Sequence, residues 1–447
     1  MTREDAARGT GDESRPEAPP HVPRPASLLF VNASQVVTCA GPARARRGKE
    51  MRDAGVLTGA AVAVRGETIA AVGERRALER EFDDAERVDC RGCVLTPGLV
   101  DSHTHAIFGR ARFDEQELRA GGLDYMEIAR RGGGIHASVR DLRARDEDEL
   151  FALAATRLRR LASYGTTTVE VKSGYGLSVA DELKSLRVVR RLAGALPMRV
   201  VPTWLGAHEI PHEYRGSASA RQDYLRLLVE EMLPRVAAER LAGFADVFCE
   251  PGVFTVDEAR GVLAASRGAG LALKLHADEL SAGGGAELAA ELGAASADHL
   301  AAVSDGGVVA LAASETVATL LPGTMLFLGK ARQAPARALL DAGAAVALAS
   351  DFNPGTSPTV NFPLVLTLGV SQLRMSVAEA LLGATVNGAA ALKLAGAVGQ
   401  LAPGFSADLA LFEAEDVREL PYWYGDRRCR GSWVRGKTCH QYELRLT

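Results

Sequence analysis

The chain has 447 residues and a formal net charge of −4, with a sequence pI near 6.2. That length exceeds one ordinary domain, although an α/β barrel can fill most of it. The mildly acidic balance leaves no electrostatic footprint for nucleic acid or an acidic membrane surface, so a small-molecule substrate is expected, with no nucleic acid and no membrane.

Residues 1–26, rich in Arg, Glu, Asp, Gly and Pro, lack the apolar stretch of a secretory signal and read as a disordered tail. No run reaches the roughly 18 to 20 apolar residues of a membrane span. Six scattered cysteines (Cys39, Cys90, Cys93, Cys249, Cys429, Cys439) are too few for a disulfide framework in a chain of this size and fit a cytoplasmic protein. From Ser27 to Pro97, short β-like runs at Leu28 to Val37, Ala60 to Val64, Thr68 to Val72 and Val94-Leu95 predict a small antiparallel sheet. Cys90-Arg91-Gly92-Cys93 has the spacing of a zinc or redox pair. No second pair follows, so the two read as ordinary strand cysteines.

Between residues 98 and 394, apolar strand-like runs alternate with longer helical stretches, the signature of βα units on a parallel sheet. Eight candidate strands, at 99–103, 166–172, 199–205, 245–250, 271–276, 296–299, 315–321 and 346–351, predict an α/β fold with a (β/α)8 TIM barrel. The β style resumes at Asp408 to Phe412 and Ser432 to Gly436. Segments 27–97 and 395–447 are therefore expected to build one small β-sandwich domain. The stretch 106–165 holds Arg112 and the triplet Gly132-Gly133-Gly134, which reads as an anion cradle, a lid hinge or, first among these, a plain loop.

Ligand-type residues recur at the strand ends: His103 and His105 on strand one, His276 on five, His299 on six and Asp351 on eight. Strand side chains alternate, so His103 and His105 point the same way and can grip one ion. Barrel chemistry sits at the C-terminal ends of the strands, where all five fall. Any one histidine is as well explained by packing; the set is not.

Pro97-Gly98-Leu99-Val100-Asp101-Ser102-His103-Thr104-His105 resembles the opening strand of the amidohydrolase superfamily, metal-dependent hydrolases on a (β/α)8 barrel. The resemblance runs from about residue 27 onward and includes Gly132-Gly133-Gly134-Ile135, Lys172-Ser173-Gly174-Tyr175-Gly176-Leu177, Gly206-Ala207-His208-Glu209, His276-Ala277-Asp278-Glu279, Ala297-Asp298-His299-Leu300 and Ser350-Asp351-Phe352-Asn353-Pro354-Gly355-Thr356. His-x-His is shared by many hydrolases, whereas the Lys-Ser-Gly-Tyr-Gly-Leu and Asp-Phe-Asn-Pro-Gly-Thr segments are specific to one branch. That branch implies hydrolysis of the cyclic amide of 4-imidazolone-5-propanoate to N-formimidoyl-L-glutamate, a step of histidine degradation.

The resemblance also implies site residues. Metal ligands fall on His103, His105, His276 and Asp351, holding one zinc or iron ion per subunit. Substrate contacts fall on Arg112, Tyr175, His208, Glu279 and Asn353, with Gly355 and Thr356 near the product's carboxylate. Glu279, His299 and Asp351 are the residues expected to handle protons and developing charge. A guanidinium fork suits the propionate, which is the reason for Arg112. Lys172 invites a carbamylated lysine bridging two metals, but in such relatives that lysine lies on strand four, and Lys172 lies on strand two; one metal is expected. His21, His136, His212 and His440 read as surface residues. Two other readings stand: a related cyclic-amidine or amide hydrolase or deaminase, and a non-catalytic scaffold, against which the complete ligand set argues. A homodimer is left open.

Overall fold

Strand two shows why a barrel forms. Thr166–Lys172 is mostly β-branched and buried along its whole length, as a parallel strand covered on both faces must be. Val169 and Val171 pack outward against Leu150, Ala154 and Leu158 of the helix Glu147–Ala162, and the alternate residues Glu170 and Lys172 face the barrel interior. That helix starts at Asp146, whose side chain accepts from the Glu149 amide while Glu149 returns the bond, a capping box.

The computed structural model describes residues 28–123, 127–128 and 131–441; the tail expected over 1–26 lies outside the described residues. Eight strands form one parallel sheet in sequence order: Leu99–Asp101, Thr166–Lys172, Arg199–Ala207, Phe244–Cys249, Ala272–Ala277, Ser296–His299, Val317–Leu320 and Val346–Leu348. Each expected strand is present. Strands one and eight, however, stop short of the expected 103 and 351. The chain leaves regular strand geometry there because it closes the barrel by other means: the Asp351 amide donates to His103 O at 3.1 Å and the His105 amide to Phe352 O at 2.9 Å, around a parallel bridge between Thr104 and Phe352. One turn below, buried Asp101 accepts from the Ser350 amide at 3.0 Å and from its hydroxyl at 2.5 Å. The segments that seal the barrel are the ones that carry His103, His105 and Asp351.

Two further sheets come from the ends of the chain. A four-stranded sheet runs in the order Thr68–Glu74, Ala60–Arg65, Leu28–Val31, Glu86–Asp89, and a six-stranded sheet in the order Lys437–Gln441, Cys429–Val434, Leu409–Glu413, Cys93–Pro97, Gln35–Val37, Val56–Leu57. Their shared core includes Phe30, Val62, Leu95, Leu409 and Trp433, with Phe30 and Trp433 meeting edge to face at 4.9 Å. Cys90 and Cys93 are free thiols in this core; burial pushes the Cys90 thiol up, the opposite of a reactive thiolate. Only Gly98 separates Cys93–Pro97 from barrel strand one, and a Cβ there would overlap the Thr167 side chain. Among the described residues no helix is long and apolar enough to cross a membrane.

Ser350 Oγ donates to Asp101 and accepts from the Phe352 amide. Ser350→Ala removes both bonds inside the closure and should lower the equilibrium unfolding free energy in urea by about 1–3 kcal/mol; an unchanged midpoint would show that this seam does not hold the barrel shut.

Candidate metal and substrate site

The strand ends deliver the donors. His276 is the penultimate residue of strand five and His299 the last of strand six, while His103, His105 and Asp351 stand on the closure segments. All five side chains are buried. His105 Nε2 lies 3.4 Å from His276 Nε2 and 3.5 Å from Asp351 Oδ1, and His103 Nε2 lies 3.6 Å from the same oxygen. Two ligands each about 2.1 Å from one ion and at a tetrahedral angle stand ~3.4 Å apart. The measured edges fit that polyhedron. His103 Nε2 is also buried without a hydrogen-bond partner, which a site built for a cation explains. His103, His105 and His276 form one potential metal group, and His103, His299 and Asp351 another. His299 borders both His103 and His276, with ring centroids 5.2 and 5.1 Å away.

Ring orientation is set from behind. His103 Nδ1 donates to Asp298 Oδ2 at 2.6 Å, and His276 Nδ1 lies 3.0 Å from Asp246 Oδ2. The hydrogen bond turns the His103 Nε2 lone pair toward the common point, and Asp246 stands behind the His276 ring as its negative neighbour. Burial, reinforced by neighbouring cationic and imidazole groups, holds His103, His105 and His299 well below the usual histidine range; the neutral ring is the ligating form. Burial pushes the Asp351 carboxyl up to about 6, opposed by Thr324, whose hydroxyl donates to Oδ2 at 2.5 Å.

A cavity of about 1480 Å³ opens onto these donors, and its walls include Arg112, Tyr175, His208, Glu279, Asn353 and Thr356. Glu279 Oε2 is 3.6 Å from His299 Nε2. Burial, then Asp351 and Glu250, push the Glu279 carboxyl well above its usual range, which favours a proton on it. His208 Nδ1 donates to Gly174 O at 2.9 Å, so its Nε2 is an acceptor; burial holds this ring down to about 3. Arg112 is buried, with Nε 3.4 Å from Glu115 Oε2. Its Nε and Nη1 make no hydrogen bond among the described residues.

Other expected residues take different positions. The Asn353 amide nitrogen donates to Asp351 O at 2.7 Å and to Thr356 Oγ1 at 2.8 Å, and its oxygen accepts from the Gly355 and Thr356 amides at 2.9 and 2.7 Å. It shapes the loop after strand eight. Gly355 lies behind Arg112, where any Cβ would overlap the guanidinium. The glycine triplet is no open cradle at its last residue, since the Gly134 amide donates to Glu115 Oε1 at 2.7 Å. Two histidines expected at the surface are half-buried: His136, in the first turn of helix Ile135–Arg143, lines the cavity, and His440 stands in an edge strand. Burial, then Arg215 and His212, hold His136 down to about 4. His212 is exposed, and His21 lies outside the described residues.

Lys172 lies in a buried charge cluster under the donors: Nζ is 2.7 Å from Glu170 Oε2 and 2.8 Å from Asp246 Oδ2. Burial works against the ammonium, but Asp246, Glu170 and Asp298 outweigh it and hold Lys172 above its usual range. Asp246, Asp298, Lys274 and Thr324 were missed as site residues. A signal existed for two of them: Asp246 within Phe244–Cys249 and Lys274 within Ala272–Ala277 are lone charges in apolar strands, which belong inside a barrel only when partnered.

The amidohydrolase family model matches residues 94–439. The chain is 49% identical over 406 residues to the imidazolonepropionase of Symbiobacterium thermophilum, covering 90% of this chain and 94% of that protein. It is 46% identical over 410 residues to that of Chloroflexus aggregans, covering 90% and 95%. Among solved structures, guanine deaminase from E. coli superposes with a TM-score of 0.70 at 15% identity, over 93% of this chain and 99% of that one. An adenosine deaminase from Xanthomonas campestris, solved with bound zinc, gives 0.69 at 18% identity, over 95% and 96%; these two likenesses concern the fold. A barrel whose strand ends gather three imidazoles and a carboxylate for a divalent metal ion, in a sequence this similar to its relatives along nine tenths of its length, belongs to the amidohydrolase family, with the imidazolonepropionases.

Proposed function

We propose that this chain hydrolyses the cyclic amide of 4-imidazolone-5-propanoate to N-formimidoyl-L-glutamate, a step of histidine degradation. The high identity to imidazolonepropionases supports this substrate. One observation in the structure carries it: Arg112, buried and with Nε and Nη1 lacking hydrogen-bond partners, stands on the wall of the cavity that holds the histidines. Glu115 stands 3.4 Å from its Nε without a hydrogen bond, so the guanidinium is held in place with donor capacity left for a further carboxylate, which the imidazolone acid has and an uncharged base lacks.

His103, His105, His276 and Asp351 are the assigned ligands of a single ion, zinc or iron. When bound, such an ion acts as a Lewis acid and lowers the pKa of water to about 7. Arg112 forks onto the propionate, while Tyr175, His208, Asn353, Gly355 and Thr356 shape and line the pocket around the ring. Water adds to the ring carbonyl, and Asp351, on the cavity wall with Glu279 and His299, accepts its proton. The carbonyl C–N bond then breaks. Glu279, which favours its protonated form, is placed to deliver a proton to the departing amidine nitrogen. His299, 3.6 Å from Glu279, steadies the charge that develops on the former carbonyl oxygen.

Stripping the metal with a chelator should abolish turnover and lower the thermal midpoint, and added zinc or iron should restore both, because binding to the folded state alone stabilises by about 4 kcal/mol at a thousandfold excess over Kd. His276→Ala and Asp351→Ala should lose metal by elemental analysis together with activity; stoichiometric metal with near-normal turnover in His276→Ala would overturn the ligand assignment.

Arg112→Ala should keep its metal and lose kcat/KM for the imidazolone acid by roughly one to two decades, the equivalent of the ~1.5–3 kcal/mol of a charge-assisted hydrogen bond. Arg112→Lys should recover only part, since an ammonium cannot reproduce the planar fork. A loss below about threefold in Arg112→Ala, with metal retained, would remove Arg112 from the carboxylate site.

A further inference from the structure

We propose that Lys172 is a positioning residue for the metal-ligating histidines, acting through the two carboxylates that stand behind them. The inference rests on the ligand assignment above. The ammonium faces the same oxygen atoms that orient the rings: Asp246 Oδ2 is 2.8 Å from Lys172 Nζ and 3.0 Å from His276 Nδ1, and Asp298 Oδ2 is 3.9 Å from Lys172 Nζ and 2.6 Å from His103 Nδ1. One side chain from strand two thus reaches carboxylates on strands four and six, which reach imidazoles on strand five and after strand one.

The surroundings leave this group little freedom. Lys172, Glu170, Asp246, Asp298 and Lys274 have no exposed side-chain surface. Glu170 grips Lys172 Nζ from one side and accepts from Thr203 Oγ1 at 2.5 Å. Lys274 is the second cation, but it is anchored elsewhere: its Nζ donates to Ser296 Oγ at 2.7 Å and to Ser102 O at 3.2 Å, and stays 3.5 Å from Asp298. Lys274 is the nearer of the two to Asp298, but among the described residues Lys172 is the cation within 4 Å of both Asp246 and Asp298. Without it, Asp246 keeps only contacts to His276 itself among the described residues, the amide on Oδ1 at 3.1 Å and Nδ1 near Oδ2 at 3.0 Å, and its angle is no longer coupled through Lys172 to that of Asp298. The consequence is angular: imidazole lone pairs lose their common aim, and coordination depends on that aim.

The test uses the full chain, stripped by chelator and reloaded with Co²⁺, read by competition for the metal and by the visible absorption bands that report coordination geometry. Lys172→Met should weaken Co²⁺ binding at least tenfold, within the range of about 10–100-fold seen for groups behind metal ligands, and should alter the bands. Asp246→Asn and Asp298→Asn should do the same, and the loss in a Lys172→Met/Asp298→Asn double variant should fall short of the product of the single losses. A folded Lys172→Met with wild-type affinity and spectrum, even if less stable to urea, would overturn the proposal and leave the lysine a structural counter-charge. Should Lys172→Met not fold, the two Asn variants decide: affinity within threefold of wild type in both overturns it, and weakened binding with altered bands supports it. His276→Ala is the control, since Co²⁺ retained there indicts the ligand assignment instead.

Discussion

Everything at this site depends on aiming nitrogen lone pairs at one point inside a buried barrel end. Protein groups stand behind several of the rings. Asp298 holds His103, Asp246 faces His276 and the Gly174 carbonyl holds His208. Carboxylates in that interior would be costly alone, which ties the metal donors to the lysines on strands two and five. The alternation of a β-strand makes the arrangement attainable: the residues that flank these charges point outward and supply the apolar layer under the helices.

Backbone geometry at the strand ends has a related origin. Leu177, Asp278, His299, Leu300 and Asp351 all have positive φ, between 49 and 79°, a region that residues with a side chain occupy at some cost. Their neighbours over-determine them. Asp278 accepts from the Gly283, Gly284 and Ala286 amides at 2.7, 3.0 and 2.9 Å, and Asp351 is fixed by Thr324 and by the closure with His103. An extended continuation of strand six or eight would keep the ladder but send each next side chain to the opposite face. The left-handed turn ends the ladder and leaves His299 and Asp351 beside the cavity.

The barrel and its donors were legible because both rest on local patterns: apolar runs at βα spacing, and polar residues at their ends. His103, His105, His276, His299 and Asp351 could be found that way. Asp298 precedes His299 in the sequence, yet a carboxylate behind a histidine shows its purpose only when strands six and one are brought together. Asn353 has the same difficulty in reverse. Its type suggests a contact with ligand, yet both ends of its amide are taken up by its own loop. His136 follows no barrel strand, so its sequence setting points to the surface, and the cavity's extent past the barrel mouth makes it part of a wall.

The single residue between Pro97 and Leu99 has a temporal meaning. Strand Cys93–Pro97 lies between Leu409–Glu413 and Gln35–Val37 in its sheet, so its main neighbour is made more than three hundred residues later. Through Gly98 the same strand sets the start of the one that leads to His103 and His105. On a ribosome, therefore, the first two donors are synthesised early but gain their full anchorage only when the last segment of the chain emerges, since non-local pairing must wait for its partner. A chain cut before residue 409 lacks the strand on which that anchorage rests.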